Sequence, residues 1–191
     1  MGRSHDILDK AITIAVGAHA GACRKGTTTP YIVHPLEAAA IAAALTDDRE
    51  VMAAAVLHDV LEDTPYGETA LREAVGDRVT DLVLAVTEKK RSELAAADTW
   101  LLRKQETIEH LGKETDRSVL ILVLADKLSS LRAIYRDWLA VGERLWQRFN
   151  QPDKALHHWY NRAVADALTP LSASPAWQEL DRLIQLVFVP K

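Results

Sequence analysis

The stretch Val51–Thr64, VMAAAVLHDVLEDT, constrains this chain more than any other. Its first half is almost wholly apolar, so as a helix it must be buried on most sides. The second half then presents His58, Asp59, Glu62 and Asp63 in quick succession. At helical spacing His58 lies one turn from Glu62, and Asp59 one turn from Asp63, giving two adjacent polar ridges. Three carboxylates so placed repel one another, and they fall where the helix dipole is already negative. Burying them uncompensated is very costly, so the spacing predicts a positive partner. A divalent cation held by His58 and Asp59 answers that need and leaves Glu62 and Asp63 for proton transfer. The competing reading is a solvated acidic C-terminal turn, but the turns before it offer no polar face on which to be solvated.

A length of 191 residues suits one well-cored domain and is short for two of ordinary size, so residues 1–191 read as a single domain. The net charge of −4 argues against a nucleic-acid duplex as partner, and an anionic substrate would need a local basic patch. The single Cys23 excludes an internal disulfide, fits a reducing compartment, and is expected as a small buried residue. No basic segment followed by an apolar signal-type run opens the chain, and no apolar run reaches membrane-spanning length. The expectation is a cytoplasmic protein with no membrane partner; the oligomeric state stays open, a homo-oligomer included.

Along the chain, Asp6–Ala20 carries the 3.6-residue apolar period of an amphipathic helix stopping at Gly21. Ala22–Pro30, ACRKGTTTP, reads as a loop whose Arg24 and Lys25 are surface charges or anion contacts. His34 precedes Pro35, which disfavours helical geometry for the histidine and suits proline to the first helical turn. His34 is therefore expected at the mouth of an alanine-rich helix over Glu37–Leu45. Short helices follow near Gly67–Val75 and Asp77–Val86, and another over Thr99–Leu111. The runs Lys89–Arg91 and Arg103–Lys104 read as solvated faces. In Ser118–Tyr135, Val119, Leu122, Val123 and Asp126 share a face, so Asp126 falls on an apolar stripe and needs a cation or several donors. Lys127 is not expected to serve, because helical neighbours diverge by about 100°. Pro152 opens a helix through Leu168, in which Trp159 reads as core and the adjacent His157 and His158 are a weak metal signal. A closing helix spans Trp177–Val187. No strand-like alternation occurs, so the fold class is all-α.

His34, His58, Asp59 and Asp126 together supply two imidazoles and two carboxylates, a mixed donor set that suits manganese, iron or zinc. Three helices converging on one ion would make a helical bundle around a metal site. Because a bound divalent ion activates water, the reaction class is metal-assisted hydrolysis, most naturally of a phosphate ester or anhydride.

The spacing H…HD…D resembles the HD phosphohydrolase superfamily. More narrowly, RKGTTTPYIVHPLEAA, VLHDVLEDT and LADKLSSLR resemble the hydrolase domain of RelA/SpoT-type alarmone enzymes and the stand-alone small alarmone hydrolases, from about Ile12 to Tyr135, with a fainter echo in HWYNR (His158–Arg162). The resemblance implies metal ligands at His34, His58, Asp59 and Asp126, with manganese as the usual ion and zinc, iron or magnesium as alternatives. It implies Glu62 and Asp63 as the pair that activates or positions water, and Arg24 and Lys25 as residues framing the nucleotide. Lys127, Ser130 and Arg132 are the further candidates for substrate contact. The implied reaction removes the 3′-pyrophosphate from guanosine tetra- or pentaphosphate, or an adenine analogue. No synthetase-like segment follows, so the resemblance implies a hydrolase only. The alternatives are release of orthophosphate on the same scaffold, or a nucleotide-sensing module without turnover. The chain departs from the family's usual signature in a loop one residue longer between Lys25 and Pro30, in Ser130 where asparagine is usual, and in Ala133 where threonine is usual. Guanine and adenine substrates both stay open.

Overall fold

The structure, a computed structural model, describes residues 6–91 and 93–189. Its helices are α1 (Ile7–Ala18), α2 (Val33–Ala43), α3 (Arg49–Leu57), α4 (Val60–Asp63), α5 (Glu68–Val75), α6 (Asp77–Val86), α7 (Trp100–Leu111), α8 (Arg117–Val141), α9 (Lys154–Ala167) and α10 (Pro175–Phe188). Tighter 3₁₀ turns occupy Gly142–Arg148 and Thr169–Leu171. Among the described residues the only extended pairing is an isolated Cys23–Pro30 bridge, so the fold is all-α as expected. No described helix is long and apolar enough to cross a membrane.

The centre of the bundle is α3. Val51 and the run Ala53–Leu57 are all buried, leaving α3 no solvent face over its last turns. It packs against α1, α2, α6 and α8, and its three consecutive alanines let those neighbours approach closely. Asp48 starts it, accepting a hydrogen bond from the Glu50 N–H at 3.0 Å, as a short polar N-cap should. Asp116 does the same for α8, accepting from Ser118 N–H at 2.8 Å. α8 then runs past Tyr135 to Val141 and stops at Gly142, whose φ of +63° suits glycine. The long α8 lies against α2, α3, α6 and α10, so it carries Asp126 to the same place that α2 and α3 reach.

Several expectations need correction. The HD-bearing segment is not one helix: it breaks at His58–Asp59, where Asp59 has φ −96° and ψ −4°, and resumes as α4. His58 Nδ1–H donates to the Ala55 carbonyl at 2.8 Å, the acceptor that an unbroken helix would offer to the Asp59 N–H. His34 lies inside the first turn of α2 rather than before it. Cys23 is exposed, and Trp159 is 38% exposed instead of core. Arg103 and Lys104 are not solvated, with side chains 12% and 15% exposed. Lys127 does reach its neighbour, with Nζ 2.7 Å from Asp126 Oδ2, because a flexible four-carbon stem can turn back along the helix surface.

Candidate metal centre

Side chains from α2, the α3–α4 break and α8 come together: His34, His58 and Asp126 form a group compact enough to share one ion, and Asp59 flanks the two imidazoles. His34 Nε2 lies 3.2 Å from His58 Nε2, 3.2 Å from Asp126 Oδ1 and 3.5 Å from Asp59 Oδ2. His58 Nε2 lies 3.0 Å from Asp59 Oδ2 and 3.7 Å from Asp126 Oδ1. The break explains how consecutive residues converge. On a regular helix His58 and Asp59 would diverge by about 100°.

The outer nitrogens of the two rings settle what the inner ones can do. His58 Nδ1 faces a carbonyl, so it carries the proton and leaves Nε2 as a bare lone pair. His34 Nδ1 lies 2.9 Å from Ser129 Oγ, and that hydroxyl donates to Glu37 Oε2 at 2.7 Å. Ser129 therefore accepts from His34 Nδ1–H, and the inner nitrogen of His34 is also bare. Two lone pairs at 3.2 Å, flanked by two carboxylates, have no hydrogen bond to make with one another and require a cation. Metal bonds of about 2.0–2.2 Å place neighbouring ligand atoms about 3–3.5 Å apart, and the contacts around the two imidazoles run from 3.0 to 3.7 Å. The donor set fits a divalent ion. A proton meets part of the same need: burial opposes the charged ring, but Asp59 and Asp126 outweigh it and hold His58 well above its ordinary value. Burial likewise opposes charge on Asp59, and the neighbouring His58 overrides it, keeping that carboxyl well below the usual range.

The support behind His34 is continuous. Arg132 Nη1 donates to Glu37 Oε1 at 3.2 Å, and its Nε and Nη2 clamp both oxygens of Glu179 at 2.7 and 2.6 Å. Arg132 thus sits outside the pocket and reaches the centre only through Glu37, Ser129 and His34. Tyr31, which sequence reasoning passed over, donates to Asp59 Oδ2 at 2.6 Å and lies 3.1 Å from Asp63 Oδ2. Burial beside these carboxylates pushes its phenol far up, so it stays a donor. His19 packs 4.9 Å from the Tyr31 ring, buried, with its Nε2 lacking any hydrogen-bond partner.

The four residues form one end of a cavity of about 700 Å³. Glu62 lines it, accepting from the Glu88 backbone N–H at 3.1 Å. Burial, reinforced by the Glu88 carboxylate, pushes Glu62 up to about 7. Asp63 is held between Tyr31 and Lys90. On a second, basic wall of the same cavity Arg103 and Lys104 close on Glu88 at 3.0 and 2.6 Å, with the Thr107 hydroxyl at 3.2 Å. Burial alone would raise Glu88; Lys104, Lys127 and Arg103 reverse it and hold the carboxyl low. Of the candidate substrate residues, Arg24, Lys127 and Ser130 line the cavity, with Arg24 5.8 Å over the Tyr31 ring. Lys25 instead turns to Asn150. His157 is no ligand in this geometry: its Nε2 lies 2.8 Å from the Gln151 carbonyl, among Trp100, Trp146 and Phe149.

Residues 11–145 match the HD domain family, and the chain belongs to it. Within that family the chain is 34% identical over 191 residues to a probable GTP pyrophosphokinase of Mycobacterium leprae, covering 97% of this chain and 22% of that protein. It is 35% identical over 126 residues to a guanosine-3′,5′-bis(diphosphate) 3′-pyrophosphohydrolase of Haemophilus influenzae, covering 63% of this chain and 18% of that protein. The chain thus spans about a fifth of the length of these curated relatives. A solved structure described as a metazoan ortholog of SpoT that hydrolyzes ppGpp superposes with a TM-score of 0.76 at 26% identity, over 97% of both chains. A Listeria monocytogenes protein superposes at 0.70 with 32% identity, over 86% of this chain and 99% of that one.

Proposed function

We propose that this protein is a metal-dependent phosphohydrolase that removes the 3′-pyrophosphate from a purine nucleotide such as guanosine tetra- or pentaphosphate or an adenine analogue. The observation that carries the reading is the clustering of two bare imidazole nitrogens and two carboxylates in a cavity that Arg24, Arg103, Lys104 and Lys127 also line. The relative named for 3′-pyrophosphate hydrolysis and the solved ppGpp-hydrolysing structure support it. Other relatives are named GTP pyrophosphokinase, and the chain covers 22% and 14% of two of them against 18% of the hydrolase-named one.

His34, His58, Asp59 and Asp126 would hold the ion, manganese in our reading. Bound there, it supplies a Lewis acid for a phosphate oxygen and lowers the pKa of water. Glu62, titrating at about 7, can take a proton from the attacking water and return one to the leaving group. Tyr31 holds Asp59 in its orientation, and Asp63, beside the same phenol, would help Glu62 position water. Arg24, Lys104 and Lys127 offset the substrate's negative charge, which a desolvated pocket would otherwise penalise. The test is a panel of nucleotides incubated with manganese-loaded protein, with products identified by mass. Pyrophosphate release from 3′-pyrophosphorylated purines is the expected result. Orthophosphate release would move the assignment to another nucleotide phosphohydrolase, and binding without turnover would leave a sensing module.

A further inference from the structure

The HWYNR stretch has no role in the site described so far, yet its Tyr160 stands directly behind the basic wall. The residue is 5% exposed and lies outside the cavity lining, and its buried hydroxyl has no hydrogen-bond partner among the described residues. Two ammonium groups from different helices sit over its ring: Lys104 Nζ of α7 at 4.8 Å from the centroid and Lys127 Nζ of α8 at 5.5 Å. Both lysines line the cavity. The ring itself is fixed from α7, by an edge contact with Trp100 at 6.2 Å and 71°. On their other sides the lysines meet carboxylates, Glu88 at 2.6 Å for Lys104 and Asp126 at 2.7 Å for Lys127.

We propose that Tyr160 is a positioning residue whose ring face seats Lys104 and Lys127 as a paired anion-receiving wall of the cavity. The inference rests on the reading that the pocket takes a polyphosphorylated anion. An ammonium is drawn to the negative face of an aromatic ring, more so where water is excluded. Each lysine has three N–H donors and spends one on its carboxylate, so donors remain for a phosphate oxygen. Without the ring, the Glu88 and Asp126 contacts alone set where each ammonium lies, and the two lysines lose the common seat that pairs them along the cavity. The ring supplies that seat and the hydroxyl does not, since the hydroxyl bonds nothing.

A purely structural tyrosine and a seating ring differ in one measurable way, their response to the ring's electron density. Tyr160→Phe, followed by trifluoro- and pentafluorophenylalanine at the same position, keeps the shape while draining the negative face. The readouts are calorimetric affinity of the manganese-loaded full chain for inorganic pyrophosphate, and the split of kcat against KM. Tyr160→Phe should bind pyrophosphate within about twofold of wild type and melt no lower, because it removes an unpartnered buried hydroxyl. Along the fluorinated series affinity should fall stepwise, by roughly tenfold in total, with KM rising and kcat nearly constant. A flat series, a loss already complete in Tyr160→Phe, or a wild type that does not bind pyrophosphate would each overturn the proposal. Because the probe is pyrophosphate and not the nucleotide, a wrong substrate assignment leaves this result readable.

Discussion

The two walls of the pocket handle buried charge in opposite ways. On the basic wall the protein neutralises its own carboxylate: Glu88 receives Arg103, Lys104 and Thr107 at 2.6–3.2 Å, and cation is left over. On the acidic wall Asp59, Asp126 and two bare imidazole nitrogens crowd together, and among the described residues Lys127 is the one lysine or arginine in direct contact. A self-neutralised wall with excess positive charge suits an anion from outside. A wall short of positive charge suits a cation from outside. The difference teaches where external ligands are built into the energetics of the fold: the acidic wall is complete only with an ion, whereas the basic wall is stable while it waits.

The largest effect should come from breaking the acidic wall. His58→Ala or Asp59→Ala should lose the bound metal and with it all measurable hydrolysis, as metal analysis and turnover assays would report. The pH dependence of the ion's contribution follows from His58. Its folded pKa is raised, so the protonated ring stabilises metal-stripped protein fully below the unfolded value of about 6.5. That stabilisation is lost as pH rises through the folded value. Glu62, raised from 4.5 to about 7, acts in the same direction between those values. Metal needs the deprotonated ring, so the melting shift on adding manganese should grow from pH 6 to pH 8. A shift independent of pH would mean that the ion does not replace a proton on His58.

Next in size is Glu62, the group proposed to transfer the proton, which also joins the walls through the Glu88 N–H. Glu62→Gln should keep bound metal and lose roughly 10²–10⁴-fold in kcat. The rise of activity through about pH 7 should disappear with it. Metal loss equal to that of His58→Ala would make Glu62 a ligand instead. A smaller effect tests the support behind the acidic wall. Ser129→Ala cuts the path from Arg132 and Glu37 to His34, and removal of such a partner costs about 10–100-fold in metal affinity. Equal manganese affinity in Ser129→Ala and wild type would show that packing alone orients the His34 ring.

What could be read from the sequence divides along the same line. The acidic wall is written locally: His58, Asp59, Glu62 and Asp63 lie within one stretch, and the apolar residues before them signal burial. Helices α5 and α6 were equally legible, since Gly76 sits between two short amphipathic periods and becomes the boundary of both. The basic wall was not legible, because Glu88 meets Arg103 and Lys104 across a fifteen- and sixteen-residue separation that crosses a loop. Read singly, each of those charges looks solvated. Tyr31 and Ser129 escaped for another reason: their partners lie 28 and 95 residues away, and neither residue type is a metal ligand in its own right. The helix break escaped as well, because it is caused by the His58 side chain taking a backbone carbonyl, a choice made only once the ring is buried.

The smallest expected effect concerns base selectivity, and it separates the chemistry of the acidic end from recognition elsewhere in the pocket. Ser130 lines the cavity, with its Oγ 3.4 Å from Asp126 Oδ1, where the resembled family usually carries asparagine. An asparagine amide both donates and accepts and reaches further than a serine hydroxyl. The longer loop does not make up the difference. Gly26, at φ +70°, is pressed against the Arg148 side chain so closely that a Cβ would lie 2.7 Å from its Cδ. Lys25 is tied to Asn150, and none of Thr27, Thr28 and Thr29 lines the cavity. A missing hydrogen bond to a neutral group is worth about 0.5–1.5 kcal/mol net, or roughly tenfold or less in affinity. Wild type should therefore distinguish guanine from adenine 3′-pyrophosphorylated nucleotides by no more than about tenfold in kcat/KM. Ser130→Asn should widen that ratio by a similar factor while kcat stays close to wild type, because in the proposed reaction Glu62 and the metal ligands act at the phosphate end. A wild type that already prefers guanine by several hundredfold, unchanged in Ser130→Asn, would place the selectivity determinant on another wall of the cavity.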